Sequence, residues 1–204
     1  MQNNKSKKVK IVAITGGIGS GKSFALRALK NAGFYTLSCD DIVANLYTKR
    51  SFLREIKKIF PLAVSGVFNL KVDKKVIAKE VFSNKEKLEK LNKLSHRKVL
   101  KIALKNCKKF GKEKGLAFLE VPLLFESNFQ NEFDGVIVIK RNIEDRIKSV
   151  MERSNLDREE IESRINAQID YETFDFSKCI VIENNGDISG FENKVLNAIN
   201  KFLI

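Results

Sequence analysis

No apolar run in this 204-residue sequence approaches the roughly 20 residues of a membrane span, which excludes a helical integral membrane protein. The first residues, MQNNKSKK, are charged and lack the apolar segment of a secretory signal, so export is not expected. They read as a flexible basic tail over 1–8. The three cysteines, Cys39, Cys107 and Cys179, lie far apart. That spacing excludes paired-cysteine zinc sites and redox motifs, and the odd count fits reduced thiols in a cytoplasmic protein. No internal repeat or low-complexity tract is present.

Acidic residues are also in short supply, 25 against 38 lysines and arginines, for a net charge of +13. The excess is local. Residues 1–10 carry four lysines and no acid, and residues 85–114 carry eleven lysines and one arginine against three glutamates. A nucleic-acid surface would interleave aromatics with these cations, but Phe110 is the only aromatic between 85 and 114. A solvated helix face is the simpler reading, followed by a surface that steers an anionic small substrate. Nucleic acid and membrane are not expected partners, and the sequence does not indicate an oligomeric state.

The most informative stretch is GGIGSGKS, Gly16 to Ser23, which fits G-x-x-x-x-G-K-[ST]. An apolar strand (9–14) leads in and an apolar-periodic helix leads out. Strand, glycine loop and helix are what a phosphate clamp requires, because inward backbone N–H groups and the helix N-terminus both favour an anion. Gly17, Gly19, Ser20, Gly21, Lys22, Ser23 and Phe24 are the expected ATP-binding residues. Lys22 would reach the β- and γ-phosphates, and the Ser23 hydroxyl would ligate Mg²⁺.

Further along, a helix over 22–32 ends at Gly33, and a short strand (34–37) closes on Asp40 and Asp41. A single helix is expected over 42–53 and irregular chain over 61–73. Asp73 would cap a helix to about Phe82. Leu88, Leu91, Leu94, Val99, Ala103 and Phe110 trace the buried stripe of a long amphipathic helix. Apolar runs at 116–121, 135–139 and 179–182 complete five strands. Continuous apolar strands separated by helices indicate an α/β fold with a parallel sheet buried on both faces. Between the last two strands, 141–170 holds six basic and eight acidic residues, with a capping box at Asp157 and Glu160. It reads as a polar, mobile helical lid.

A glycine loop alone does not distinguish a switch GTPase, a motor and a small kinase. The N-K-x-D signature of guanine-specific switches is absent, and the only D-x-x-G (Asp187 to Gly190) follows the fifth strand. A short chain with an acid after strand two and a charged lid suits a kinase acting on a small molecule.

Over residues 9 to about 190 the sequence resembles the dephospho-coenzyme A kinase family. The loop TGGIGSGKS stands at Thr15 to Ser23, and the D-A-D motif appears as Ser38-Cys39-Asp40. LNKLSHR carries His96, VPLLFE runs from Val121 to Glu126, and M-x-R is Met151-Glu152-Arg153. Ala167-Gln168 and Asn184-Asn185-Gly186 complete the series. The resemblance implies a P-loop kinase-like three-layer fold with a five-stranded parallel sheet, a helical substrate-binding insertion and a helical lid. It divides one kinase unit (9–204) into a nucleotide-binding core (9–60, 115–142, 173–204), a substrate-binding region (61–114) and a lid (143–172). The implied reaction moves the ATP γ-phosphate to the ribose 3′-hydroxyl of dephospho-CoA with Mg²⁺ as cofactor.

On that resemblance Asp40, Lys22 and Arg153 are catalytic, and Asn184 faces the adenine. Asp40, His96, Glu120, Pro122, Leu123 and Gln168 contact the acceptor. Glu120 also stands where P-loop enzymes place an acid near magnesium. Asp40 could instead cap the helix that follows, leaving Asp41 as base. The sequence departs from the family pattern at Ser38, Arg97, Phe24 and Ser149. Ser149 stands where a lid arginine is usual, and Arg146, one turn earlier, could replace it. The alternatives are another P-loop small-molecule kinase, such as a nucleoside monophosphate kinase, or a nucleic-acid-linked P-loop ATPase.

Overall fold

The computed structural model describes residues 8–67, 69–154 and 156–203. The expected tail at 1–8 lies outside these apart from Lys8. Two compact units emerge, one made of the chain up to Ser38 and from Leu104 on, the other of Cys39–Ala103.

The first unit carries the five expected strands: β1 (Lys10–Thr15), β2 (Tyr35–Ser38), β5 (Leu116–Glu120), β6 (Gly135–Lys140) and β7 (Ile180–Glu183). They form one sheet in the order β2-β5-β1-β6-β7, every neighbour parallel. The alternation of a strand sends Val12 and Ile14 to one face and Ile11 and Ala13 to the other, and all four are buried. On the first face they pack with Phe118, Ile137 and Ile139 against α1 (Lys22–Asn31) and α8 (Ile188–Ala198). Opposite, Gly111 lies so close to Ala117 and Val9 that an added Cβ would come within 2.9 Å of each. It follows α5 (Lys85–Phe110), whose Cys107 is buried. Between β6 and β7 run α6 (Ile143–Arg153) and α7 (Arg158–Asn166), with the Asp157–Glu160 capping box formed.

The second unit differs more from expectation. The helix expected over 42–53 is two, α2 (Cys39–Leu46) and α3 (Arg50–Ile59). Thr48 Oγ1 donates to the Asn45 carbonyl at 2.8 Å, satisfying a helix-end group locally and ending α2. The stretch 61–73 holds a hairpin of two short strands, β3 (Val64–Ser65) and β4 (Lys71–Val72). Asp73 caps α4 (Lys74–Ser83), accepting from the Lys75 and Val76 amides. Phe52, Leu53, Ile56 and Phe60 are buried at helical spacing. On α5, Val99 and Ala103 are buried, whereas Leu88 and Phe110, placed in the buried stripe by their spacing, are exposed. The unit's edges at Cys39 and Ala103 also differ from the expected 61 and 114. Spacing finds helices, but it does not say which neighbours they pack on.

Candidate active site

The phosphate loop joins β1 to α1. Gly19 (φ 77°) and Gly21 (φ 104°) adopt left-handed conformations that side-chain-bearing residues rarely take, and Gly21 sits at the N-cap of α1. The Phe24 and Ala25 amides bond back to the Gly21 carbonyl at 3.1 Å each, so the helix starts as the loop ends. Lys22 is buried, and its Nζ donates to the carbonyls of Gly16 (2.8 Å) and Gly17 (2.9 Å). The ammonium is therefore held within the loop. Ser20 Oγ is buried there without a hydrogen-bond partner among the described residues, which suits a group that binds a phosphate oxygen.

Ser23 Oγ donates to Glu120 Oε1 at 3.3 Å. Glu120 ends β5, in register with Ile14 on β1 and Ser38 on β2, and is only 6% exposed. A hydroxyl and a carboxylate side by side are hard oxygen donors of the kind that would hold Mg²⁺. Among the described residues no three His, Cys, Asp or Glu side chains converge. A magnesium shared with nucleotide phosphates does not need such a cluster.

Three further side chains hold the loop from outside. Asn184 Nδ2 donates to the Ser20 carbonyl at 2.8 Å. Gln168 Oε1 accepts from the Ile18 amide at 2.8 Å, and Arg146 Nε donates to the Ile18 carbonyl at 2.9 Å. The Asn184 and Gln168 contacts each use one polar atom of the amide, Nδ2 of Asn184 and Oε1 of Gln168, and leave the other to face outward from the loop backbone. Arg146 is buried, and burial pulls its pKa below the ordinary arginine value. Arg153, at the exposed end of α6, forms no ion pair among the described residues.

Behind the loop, the Tyr171 hydroxyl lies 3.5 Å from Thr15 Oγ1, and burial pushes its pKa up to about 12. Tyr171 stacks on Phe176, which also meets Phe125 and Phe174. Glu126 accepts the Ile169 amide at 3.1 Å. Sequence reasoning did not single out Tyr171. Its signal was the aromatic run Tyr171, Phe174, Phe176, which breaks the polarity after the lid. In VPLLFE, Leu124 and Phe125 are core, Pro122 is half-buried and Leu123 is exposed.

In the second unit, Asp40 and Asp41 are both exposed in the first turn of α2. The helix starts at Cys39, so neither is its N-cap. Carboxylates there also favour the helix dipole. His96 is half-buried on α5, and burial holds its imidazole below the usual value.

A family model, Dephospho-CoA kinase, matches residues 10–190. The chain belongs to the dephospho-CoA kinase family. Its curated relatives carry the same description. One from Fusobacterium nucleatum is 35% identical over 187 residues, covering 92% of this chain and 95% of the relative. One from Thermus thermophilus is 34% identical over 189 residues, covering 93% and 89%. A crystal structure of a Thermus thermophilus protein superimposes with a TM-score of 0.84 at 33% identity, covering 97% of this chain and all of that one. Membership in the family makes the chain an ATP-dependent kinase. Among the described residues, no helix is long and apolar enough to cross a membrane.

Proposed function

We propose that the protein transfers the γ-phosphate of ATP to the ribose 3′-hydroxyl of dephospho-CoA, releasing coenzyme A and ADP. What carries the reading is the reach of the family likeness, 10–190, over the acceptor-side motifs as well as the donor loop. Asp40, His96 and VPLLFE all fall within it.

Phosphoryl transfer passes through a loose transition state, so the protein chiefly positions groups and neutralises charge. Lys22 and the loop amides hold the β- and γ-phosphates, and the buried Ser20 hydroxyl adds a donor. Ser23 and Glu120 would hold Mg²⁺, which supplies charge neutralisation between the phosphates. Asp40 accepts the 3′-hydroxyl proton as the oxygen–phosphorus bond forms and the bond to ADP breaks, then releases it to solvent. Asp41 is the alternative base. Arg153 binds γ-phosphate oxygens through its guanidinium. His96, Pro122 and Leu123 contribute acceptor contacts.

An ADP-release assay across dephospho-CoA, AMP, CMP and shikimate tests the acceptor. Dephospho-CoA should be preferred by orders of magnitude, and preference for AMP or CMP would make this a nucleoside monophosphate kinase.

A further inference from the structure

The loop residue Ile18 is held from three directions. Its N–H goes to Gln168, just beyond α7, and its carbonyl to Arg146, in the second turn of α6. Its side chain packs against Ile147, Val150 and Ile161, the small core between α6 and α7. The helix pair also meets the loop on either side of Ile18. An added Cβ at Gly17 would overlap the Arg146 guanidinium, and one at Gly19 would come within 2.5 Å of the Arg146 carbonyl. Arg146 thus lies flat against the loop, buried, with its Nε committed.

We propose that Arg146 and Gln168 are positioning residues that pre-form the phosphate loop through the backbone N–H and carbonyl of Ile18. The Nε of Arg146 is thereby given to the loop backbone rather than to a phosphate. This rests on the loop being the nucleotide site of the kinase described above. Four of the loop's eight residues are glycine, so fixing it at the moment of binding costs more backbone entropy than fixing an ordinary turn. Holding Ile18 by the N–H and the carbonyl of the two peptide units that flank it, with its side chain anchored, removes much of that cost beforehand. It also makes α6, α7 and the loop one mechanical piece, so nucleotide on the loop is felt by the helix pair. A phosphate contact by Arg146 would have to come from its terminal nitrogens, with Nε kept on the Ile18 carbonyl. Arg153, exposed two turns further on, is under no such constraint.

The test measures Mg·ADP affinity by calorimetry, thermal stability, and kcat and KM with ATP, on the full chain. Arg146→Met and Gln168→Leu each remove one hold on Ile18 and should weaken ADP binding roughly ten- to thirtyfold. KM for ATP should rise more than kcat falls. Arg146→Gln retains an N–H donor without the charge and should recover ADP affinity to within about threefold of wild type.

Two results overturn the proposal. If Arg146→Gln is as inactive as Arg146→Met while both bind ADP normally, the charge of Arg146 acts on the transferring phosphate. If Arg146→Met and Gln168→Leu lower thermal stability but leave ADP affinity intact, the contacts are structural only. Because ADP binding needs no acceptor, these results stand apart from whether dephospho-CoA is the substrate.

Discussion

Ser23 Oγ and Glu120 Oε1 lie 3.3 Å apart, joining the first turn of α1 to the last residue of β5. The pairing depends on register, since Glu120 stands opposite Ile14, the last residue but one of β1. A hydroxyl and a nearly buried carboxylate thus meet at the loop's exit, oxygen donors of the kind a hard cation takes.

Glu120→Gln keeps the size and one acceptor but removes the charge. The Mg²⁺ concentration for half-maximal activity should rise about tenfold or more, with a small change in thermal stability. A magnesium titration at fixed ATP reads this directly. An unchanged midpoint would return Glu120 to a purely acceptor-facing role.

Asp40→Asn should lower turnover by roughly 10²-fold or more while Mg·ADP still binds normally, because only the proton acceptor is lost. Asp41→Asn should have a minor effect. The reverse pattern would assign the base to Asp41, which shares the exposed first turn of α2.

Arg153→Ala should reduce kcat much more than it raises KM for ATP, by about 10²-fold. Arg153 has no competing ion pair among the described residues, unlike Arg158, which is committed to Glu144 at 2.6 Å and Glu162 at 2.7 Å. Equal turnover in wild type and variant would leave Arg153 as a plain surface residue.

Stability should fall at both ends of the pH scale for identifiable reasons. His96 is held below its ordinary value of 6.5 by burial, so the unfolded chain binds its proton first as pH drops. Its contribution is complete above about pH 6.5 and is lost as pH falls through the lower folded value. Cys107 behaves oppositely. Burial raises its thiol from 9.0 to about 12, so stability is lost as pH climbs through that interval and the unfolded chain ionises first. Urea midpoints against pH should show a flatter acid limb for His96→Leu and a flatter alkaline limb for Cys107→Ala.

What the sequence disclosed and what it withheld divide along physical lines. The loop, the five strands and the caps at Asp73 and Asp157 are local patterns, and each was legible in a window of ten residues or so. The break at Thr48 was not, because one hydroxyl bonding back to Asn45 leaves the apolar spacing of 42–53 undisturbed. The hairpin at Val64 and Val72 was missed because strands of two residues are too short to show alternation. At the site, the residue types at Gln168, Asn184 and Arg146 stood out, but their partners did not. These are hydrogen bonds spanning 128 to 164 positions in the chain, fixed only once the sheet has brought β1, β6 and β7 together.

The acceptor atom defines the reaction. Incubating the protein with ATP, Mg²⁺ and dephospho-CoA, and resolving the product by mass spectrometry and phosphorus NMR, tests it most directly. One added phosphate monoester on the ribose 3′-oxygen, stoichiometric with ADP formed, is the expected result. ADP released without coenzyme A, or a phosphate placed on a different acceptor in preference to dephospho-CoA, would contradict it.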